Sequence, residues 1–216
     1  MKKLTKTLIA SALLSASAAS FAGVSANVGA MSDYWFRGLD QSGDGGNASM
    51  MGGLDYESDM GFYAGTWLAS LPNNIEYDLY GGYNGSYEDF SYGVGVITYL
   101  YDDSDTGKYF EYNLSAGYGP ISVAYNIGTL EDAPGSADVD YTFASITGEY
   151  EGAYLTYGVY GDEVDGSYFE AGYGMTYEGL DMSVAAIFPD DDNSANAWVS
   201  DTDKLTFTIS KSFDLF

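Results

Sequence analysis

The residues of this chain that could do chemistry are almost all acids. There are 32 Asp and Glu against 7 Lys and Arg, with no His and no Cys. Without His or Cys the usual Ser–His and Cys–His nucleophile arrangements are unavailable, and in so acidic a chain paired carboxylates arise by chance. The sequence reads as that of a non-enzyme. The same balance argues against nucleic acid, whose phosphates need a basic surface. Two clusters, Asp102-Asp103-Ser104-Asp105 and Asp190-Asp191-Asp192-Asn193, offer oxygen ligands of the kind calcium takes. Neither has the closing bidentate Glu of a calcium loop. They read as solvated faces that repel anions, and no metal or cofactor site is assigned.

Acids at alternate positions of strands open a different chemistry. Asp33, Asp55, Glu76, Asp78, Glu111 and Glu170 are so placed, and Arg37 is the single arginine of the chain. If Tyr34 and Phe36 face lipid, Asp33, Trp35 and Arg37 face the other way. Two readings stay open. The acids could line a narrow aqueous path favouring cations, with Arg37 shaping a constriction. Alternatively Arg37 pairs with Asp33, Asp78 or Glu76 in a cluster that fills a closed lumen and fixes strand register.

The elements that must position these residues are strands. Leu180, Met182, Val184, Ala186 and Phe188 alternate with Asp181, Ser183, Ala185 and Ile187. Ile75, Tyr77, Leu79 and Tyr83 oppose Glu76, Asp78, Tyr80 and Gly82, and Phe110, Tyr112, Leu114, Ala116 and Tyr118 oppose Glu111, Asn113, Ser115 and Gly117. A period of two is the mark of strands. It predicts an all-β fold, a transmembrane antiparallel β-barrel of about 12 strands. They are expected near 24–38, 47–56, 61–70, 75–83, 90–101, 108–118, 121–130, 138–150, 153–162, 167–177, 180–188 and 203–216, with 138–150 alternating poorly. Most are long enough for a tilted strand to cross a bilayer.

Residues 1–22 stand apart. Lys2, Lys3 and Lys6 precede the short apolar run Leu8–Leu14, and Ser20-Phe21-Ala22 supplies small residues for a peptidase. That is a secretory signal peptide, which leaves 23–216 as the barrel. Its removal leaves Arg37, Lys108, Lys204 and Lys211 as the only cations, four against 32 acids and a net of −28. Acidity of this size with 17% aromatic residues is carried on an ordered scaffold. With no cysteine to staple the domain, closing the sheet is one way to leave no unpaired edge.

Connections separate the two barrel ends. Those at 39–46, 102–107, 131–137 and 189–202 are long and acidic, the third with Glu131 and Asp132. Gly119-Pro120, Glu151-Gly152, Glu178-Gly179 and 57–60 are short, with 84–89 the exception. Long loops on one side and short turns on the other are the outer-membrane pattern, with both chain ends in the periplasm. Tyr56, Tyr83, Tyr92, Tyr118, Tyr150 and Tyr177 lie beside the short turns, while Phe36, Tyr99, Tyr101 and Phe188 lie beside the long loops. These suit two headgroup boundaries of a lipid bilayer. The last strand ends in Phe216, a terminal aromatic of the kind that outer-membrane insertion machinery recognises. Its register runs through Phe213 and Leu215, so Phe216 falls on the opposite face unless the end frays. Lys211, in the same apolar register, must snorkel to the interface. Loop 189–203, with Trp198 and Val199 amid acids, suits either a partner contact or an inward plug.

Several motifs together resemble a known family. Val28-Gly29 followed by Ser32-Asp33-Tyr34-Trp35-Phe36-Arg37-Gly38 is similar to the opening of the TorF family of porins. Gly52-Gly53-Leu54-Asp55-Tyr56, Gly61-Phe62-Tyr63-Ala64-Gly65-Thr66-Trp67, Glu76-Tyr77-Asp78-Leu79-Tyr80-Gly81-Gly82-Tyr83, Tyr99-Leu100-Tyr101, Glu111 and Ser210-Lys211-Ser212-Phe213-Asp214-Leu215 follow in order. The resemblance covers most of the chain after the signal, with its specific motifs in the first half. It implies an outer-membrane porin passing small solutes or cations, and it supplies no substrate. A non-conducting surface or structural barrel is the alternative.

Overall fold

A computed structural model describes residues 23–43, 46–102, 107–131, 137–191 and 194–216. The expected signal peptide lies outside these residues, as do Asp103, Ser104, Asp105, Asp132, Asp192 and Asn193. The strands are β1 Gly23–Met31, β2 Trp35–Phe36, β3 Leu39–Asp40, β4 Ser49–Glu57, β5 Phe62–Ser70, β6 Ile75–Tyr87 and β7 Phe90–Tyr101. They continue as β8 Lys108–Tyr118, β9 Ile121–Glu131, β10 Val139–Tyr150, β11 Ala153–Asp162, β12 Ser167–Tyr177, β13 Leu180–Asp190 and β14 Lys204–Asp214.

All of these except β2 and β3 form one closed barrel of 12 strands, each antiparallel to its neighbours. β1 closes it, pairing with β14 through Ala26↔Phe213 and with β4 through Ala26↔Leu54. Closure gives each strand two neighbours, which is what a sheet in hydrocarbon requires. The alternation sorts faces as the pattern predicts. Leu54, Leu79, Val94, Tyr112, Leu155 and Phe207 are each about half exposed on the outside, an apolar band far larger than a water-facing protein carries and suited to lipid. Lys211 lies on this face with its Nζ 5.4 Å from the Phe213 ring centre. Regular pairing ends at Asp214, and Phe216 is 89% exposed although its carbonyl accepts from Val24 N–H at 2.8 Å.

Two expectations about the strands are corrected. The first strand does not run to 38. After Met31, Ser32 bonds Phe207 through both backbone and side chain, and the chain leaves the wall. Arg37 and Gly38, with φ of 52° and 83°, then reverse it into the small hairpin β2–β3. Tyr34 and Phe36 therefore do not face lipid. The 84–89 exception also disappears. β6 pairs with β7 as far as Tyr87↔Phe90, because Gly85 leaves room for the Tyr92 ring beside it. The turn is only Glu88-Asp89, so every connection on this side is short. On the other side, 71–74 and 163–166 are short as well.

The short turns show why they are tight. In Glu151-Gly152 and Glu178-Gly179 both residues have positive φ, the two-residue geometry that continues strand twist. Beside them the exposed tyrosines Tyr56, Tyr92, Tyr118, Tyr150 and Tyr177 form the expected girdle, with Tyr83 half-buried against Phe62. The girdle at the long-loop end is corrected: Phe188 is outside, but Tyr99 is buried, Tyr101 pairs with Glu76 on the inward register, and Phe36 lies on the hairpin.

Inside the wall, large tyrosines lie over glycines of the neighbouring strand. The Tyr80 ring covers Gly65, where a Cβ would meet Cε2 at 2.5 Å. Tyr141 covers Gly128, Tyr154 covers Gly172, and Tyr168 with Phe143 covers Gly158. Strand 138–150 alternates poorly for this reason: Tyr141 and Phe143 point inward, while Thr142 and Ala144 take the lipid side. We expect Gly158→Val, whose Cβ would lie 2.8 Å from Phe143 Cζ, to destabilise the barrel by about 1–3 kcal/mol through overpacking. A lower midpoint in a heat-modifiability gel checks this, and an unchanged midpoint would refute the seating of these rings.

Candidate functional site

The hairpin that leaves β1 turns into the barrel and sets the site. Its internal bonds are local. Gln41 N–H donates to the Tyr34 carbonyl at 3.0 Å, Ser42 N–H to Asp40 Oδ1 at 2.8 Å, and Tyr34 N–H to Ser42 Oγ at 2.5 Å. The tip, Arg37-Gly38, points to the far wall. A Cβ at Gly38 would stand 3.1 Å from both Tyr168 Cβ and Val199 Cγ1, so this turn needs glycine for its φ and its space.

Arg37 is the centre of the arrangement. Its Nη1 lies 2.6 Å from Glu111 Oε1 and its Nη2 3.2 Å from Oε2, a two-point pairing of planar groups. The two side chains are 7% and 1% exposed. With the Asn126 amide oriented to satisfy both its ends, its oxygen accepts from Arg37 Nη2 at 2.7 Å. The guanidinium carbon sits 4.6 Å from the Phe36 ring centre and 4.5 Å from that of Phe143, within cation–π range of both. Glu111 is held in turn by Tyr141 OH at 2.9 Å, Asn113 Nδ2 at 2.9 Å and Tyr99 OH at 3.3 Å.

Two further acids stand beside this pair. Glu76 accepts from Tyr34 OH at 2.6 Å, so the hairpin touches the wall at Glu76 as well as at Glu111. Asp78, between Trp67 of β5 and Tyr99 of β7 on the inward register, is fully buried. Neither of its oxygens makes a hydrogen bond to the described residues.

The candidates thus divide. Arg37, Glu76, Asp78 and Glu111 come together. Asp33 does not join them but pairs with Lys204 at 2.6 Å, tethering the hairpin's foot. Asp55 takes Tyr80 OH at 2.5 Å and Asn27 Nδ2 at 3.3 Å, and Glu170 takes Tyr154 OH. The expected partner of Arg37 was Asp33, Asp78 or Glu76. Glu111 takes their place because the hairpin turn carries the guanidinium off β1 and across the lumen. Asn126, Tyr141 and Phe143 were not singled out at all. The available signal was that Asn113 and Asn126 are directly opposite and share the inward parity.

Trp198 and Val199 fold inward rather than outward. Val199 is buried, and Trp198 packs on Tyr141, Tyr109 and Tyr160 with ring centres 4.8, 5.8 and 6.0 Å away. Ser200 N–H bonds the Gly38 carbonyl at 2.9 Å, locking this segment to the hairpin tip. Among Arg37, Glu76, Glu111 and the surrounding rings the remaining space is about 30 Å³, room for roughly a water or two. The other half of the lumen is different: Ser91, Ser115, Ser122, Thr176 and Ser212 face inward and stay exposed.

A family model described as "Bacterial protein of unknown function (Gcw_chp)" matches residues 15–213. No curated protein matches the chain. Among solved structures, one described as "KdgM porin" superposes with a TM-score of 0.57 at 8% identity, over 89% of this chain and 99% of that one. A structure from work on the in-meso crystallization of membrane proteins superposes with a TM-score of 0.58 at 12% identity, over 89% of this chain and 84% of that one. At such identities the likeness is one of fold: a porin-type barrel.

Glu111→Gln leaves a buried guanidinium without its charge partner, which costs about 3–5 kcal/mol. Asp33→Asn, at the more exposed tether to Lys204, is expected to cost about 1 kcal/mol or less. Unfolding midpoints in detergent check the order, and a larger loss from Asp33→Asn would show that the hairpin is held at its foot instead.

Proposed function

The chain belongs to the Gcw_chp family of bacterial proteins of unknown function, and on that premise we propose that it is an outer-membrane porin passing small solutes with a preference for cations. The observation that carries this reading is the closed 12-strand barrel with lipid-suited exterior and three buried carboxylates facing one arginine inside. Export by loss of residues 1–22 and insertion through the strand ending at Phe216 belong to the same reading. The motifs similar to TorF porins support it too, as does the porin fold. In it, Arg37 neutralises Glu111, and Glu76 and Asp78 give the lumen its sign.

One observation favours a second reading, a structural barrel with a plugged lumen. The hairpin and the Trp198 segment leave only about 30 Å³ around the buried Arg37. The two readings separate in planar bilayers under a salt gradient. The porin gives discrete steps and a reversal potential of cation sign, and Glu76→Gln with Asp78→Asn moves that potential toward zero. The plug gives a silent wild type and a conducting Arg37→Ala. Silence from both folded proteins would sink the porin reading.

A further inference from the structure

We propose that the wall of the lumen contains a binding site for guanidinium-type organic cations, formed by Glu111, Asn126 and Phe143 with Asp78 and Glu76 beside it, and that Arg37 is its tethered occupant. The inference deepens the porin reading by naming a solute class, and it rests on that reading only for the step from binding to passage.

The receptor half is built without the hairpin. Glu111 is positioned by Tyr99 of β7, Asn113 of β8 and Tyr141 of β10, all on the wall. Asn126 and Phe143 are wall residues as well, on β9 and β10. Of the groups around the guanidinium named above, only Phe36 comes from the hairpin. When the tip withdraws, a two-point carboxylate, an amide oxygen and an aromatic face therefore remain in place. That set matches a planar, delocalised fork with five donors better than a compact ammonium, which neither stacks nor pairs at two points.

Charge points the same way. The wall buries Glu76, Asp78 and Glu111 around one cation, and that cation is committed to Glu111. Glu76 loses the bond from Tyr34 when the hairpin leaves and keeps the one from Tyr101 of the wall, and Asp78 has no hydrogen bond to the described residues. Once Arg37 withdraws, Glu111 is a buried carboxylate without its charge partner, which is costly, so an empty seat draws in a cation. The hairpin can free that seat because its backbone bonds are its own or go to loop residue Ser200, and only side chains, those of Asp33, Tyr34 and Arg37, bond it to the wall.

The experiment is chemical rescue. Arg37→Ala in detergent is heated with millimolar guanidinium chloride, or with equal ammonium chloride, sodium chloride or urea, the last a neutral molecule of the same shape. Guanidinium is expected to raise the unfolding midpoint by about 5 °C over the other three, and Glu111→Gln in the same background should abolish the gain. Arg37→Gln, which keeps the side-chain stem, serves if Arg37→Ala does not refold. Equal effects of guanidinium and sodium overturn the proposal, as does failure of both variants to refold with guanidinium present. Specific stabilisation with silent bilayers would keep the site and sink the porin reading, whereas conductance without it would do the reverse.

Discussion

The dense half of this barrel's interior is arranged around one guanidinium meeting one carboxylate out of water. Bringing such a pair into a low-dielectric interior costs several kcal/mol per ion, and the attraction offsets that only when the remaining polar atoms are also satisfied. Here the wall supplies those partners. Tyr99, Asn113 and Tyr141 turn toward Glu111, and Asn126 toward Arg37. The donors come from β7, β8 and β10, so the pair ties together inward rows of several strands and a hairpin that belongs to none of them. Glu76 repeats the arrangement in smaller form with Tyr34.

The pair could not sit there without the inversion that a membrane imposes. With lipid outside, most apolar residues of the strands go outward, and few, such as Ile97, Phe143 and Ile187, are buried inside. Much of the cohesion inside comes from hydrogen bonds and ring contacts. Tyrosine suits both needs, since one face packs and one end bonds, and a glycine across the ladder gives each ring its place. The dense half of the lumen is built of such rings, closed by Trp198 and Val199. The half toward the short turns keeps small hydroxyl residues and stays open to water.

Much of this was legible in the sequence because parity survives where both faces carry a strong signal. Segments 75–83 and 108–118 showed the lipid face and the acids opposite it, and the strand count followed. Where the inward residues are the large ones, as at Tyr141 and Phe143, alternation inverts and looks weak. The hairpin was hidden for another reason. Tyr34 and Phe36 keep a period of two opposite Asp33, Trp35 and Arg37, so they read as more strand, and a positive φ at a non-glycine such as Arg37 leaves no trace in composition. Glu111 was recognised as an inward acid, but its partner lies 74 residues away. Distances of that kind are set by closure, and no local pattern reports them.

That separation has a bearing on how the molecule assembles. The seat of Arg37 needs β7 to β10 side by side, whereas the hairpin emerges directly after β1. A contact joining such distant segments is formed only after the intervening loop has been closed. The seat for the tip is therefore complete only when those strands are paired. Interactions made after the main barrier govern how fast a structure comes apart rather than how fast it forms. In kinetic terms the Arg37 latch sets a residence time for the hairpin and leaves the closing of the sheet to the ladder itself.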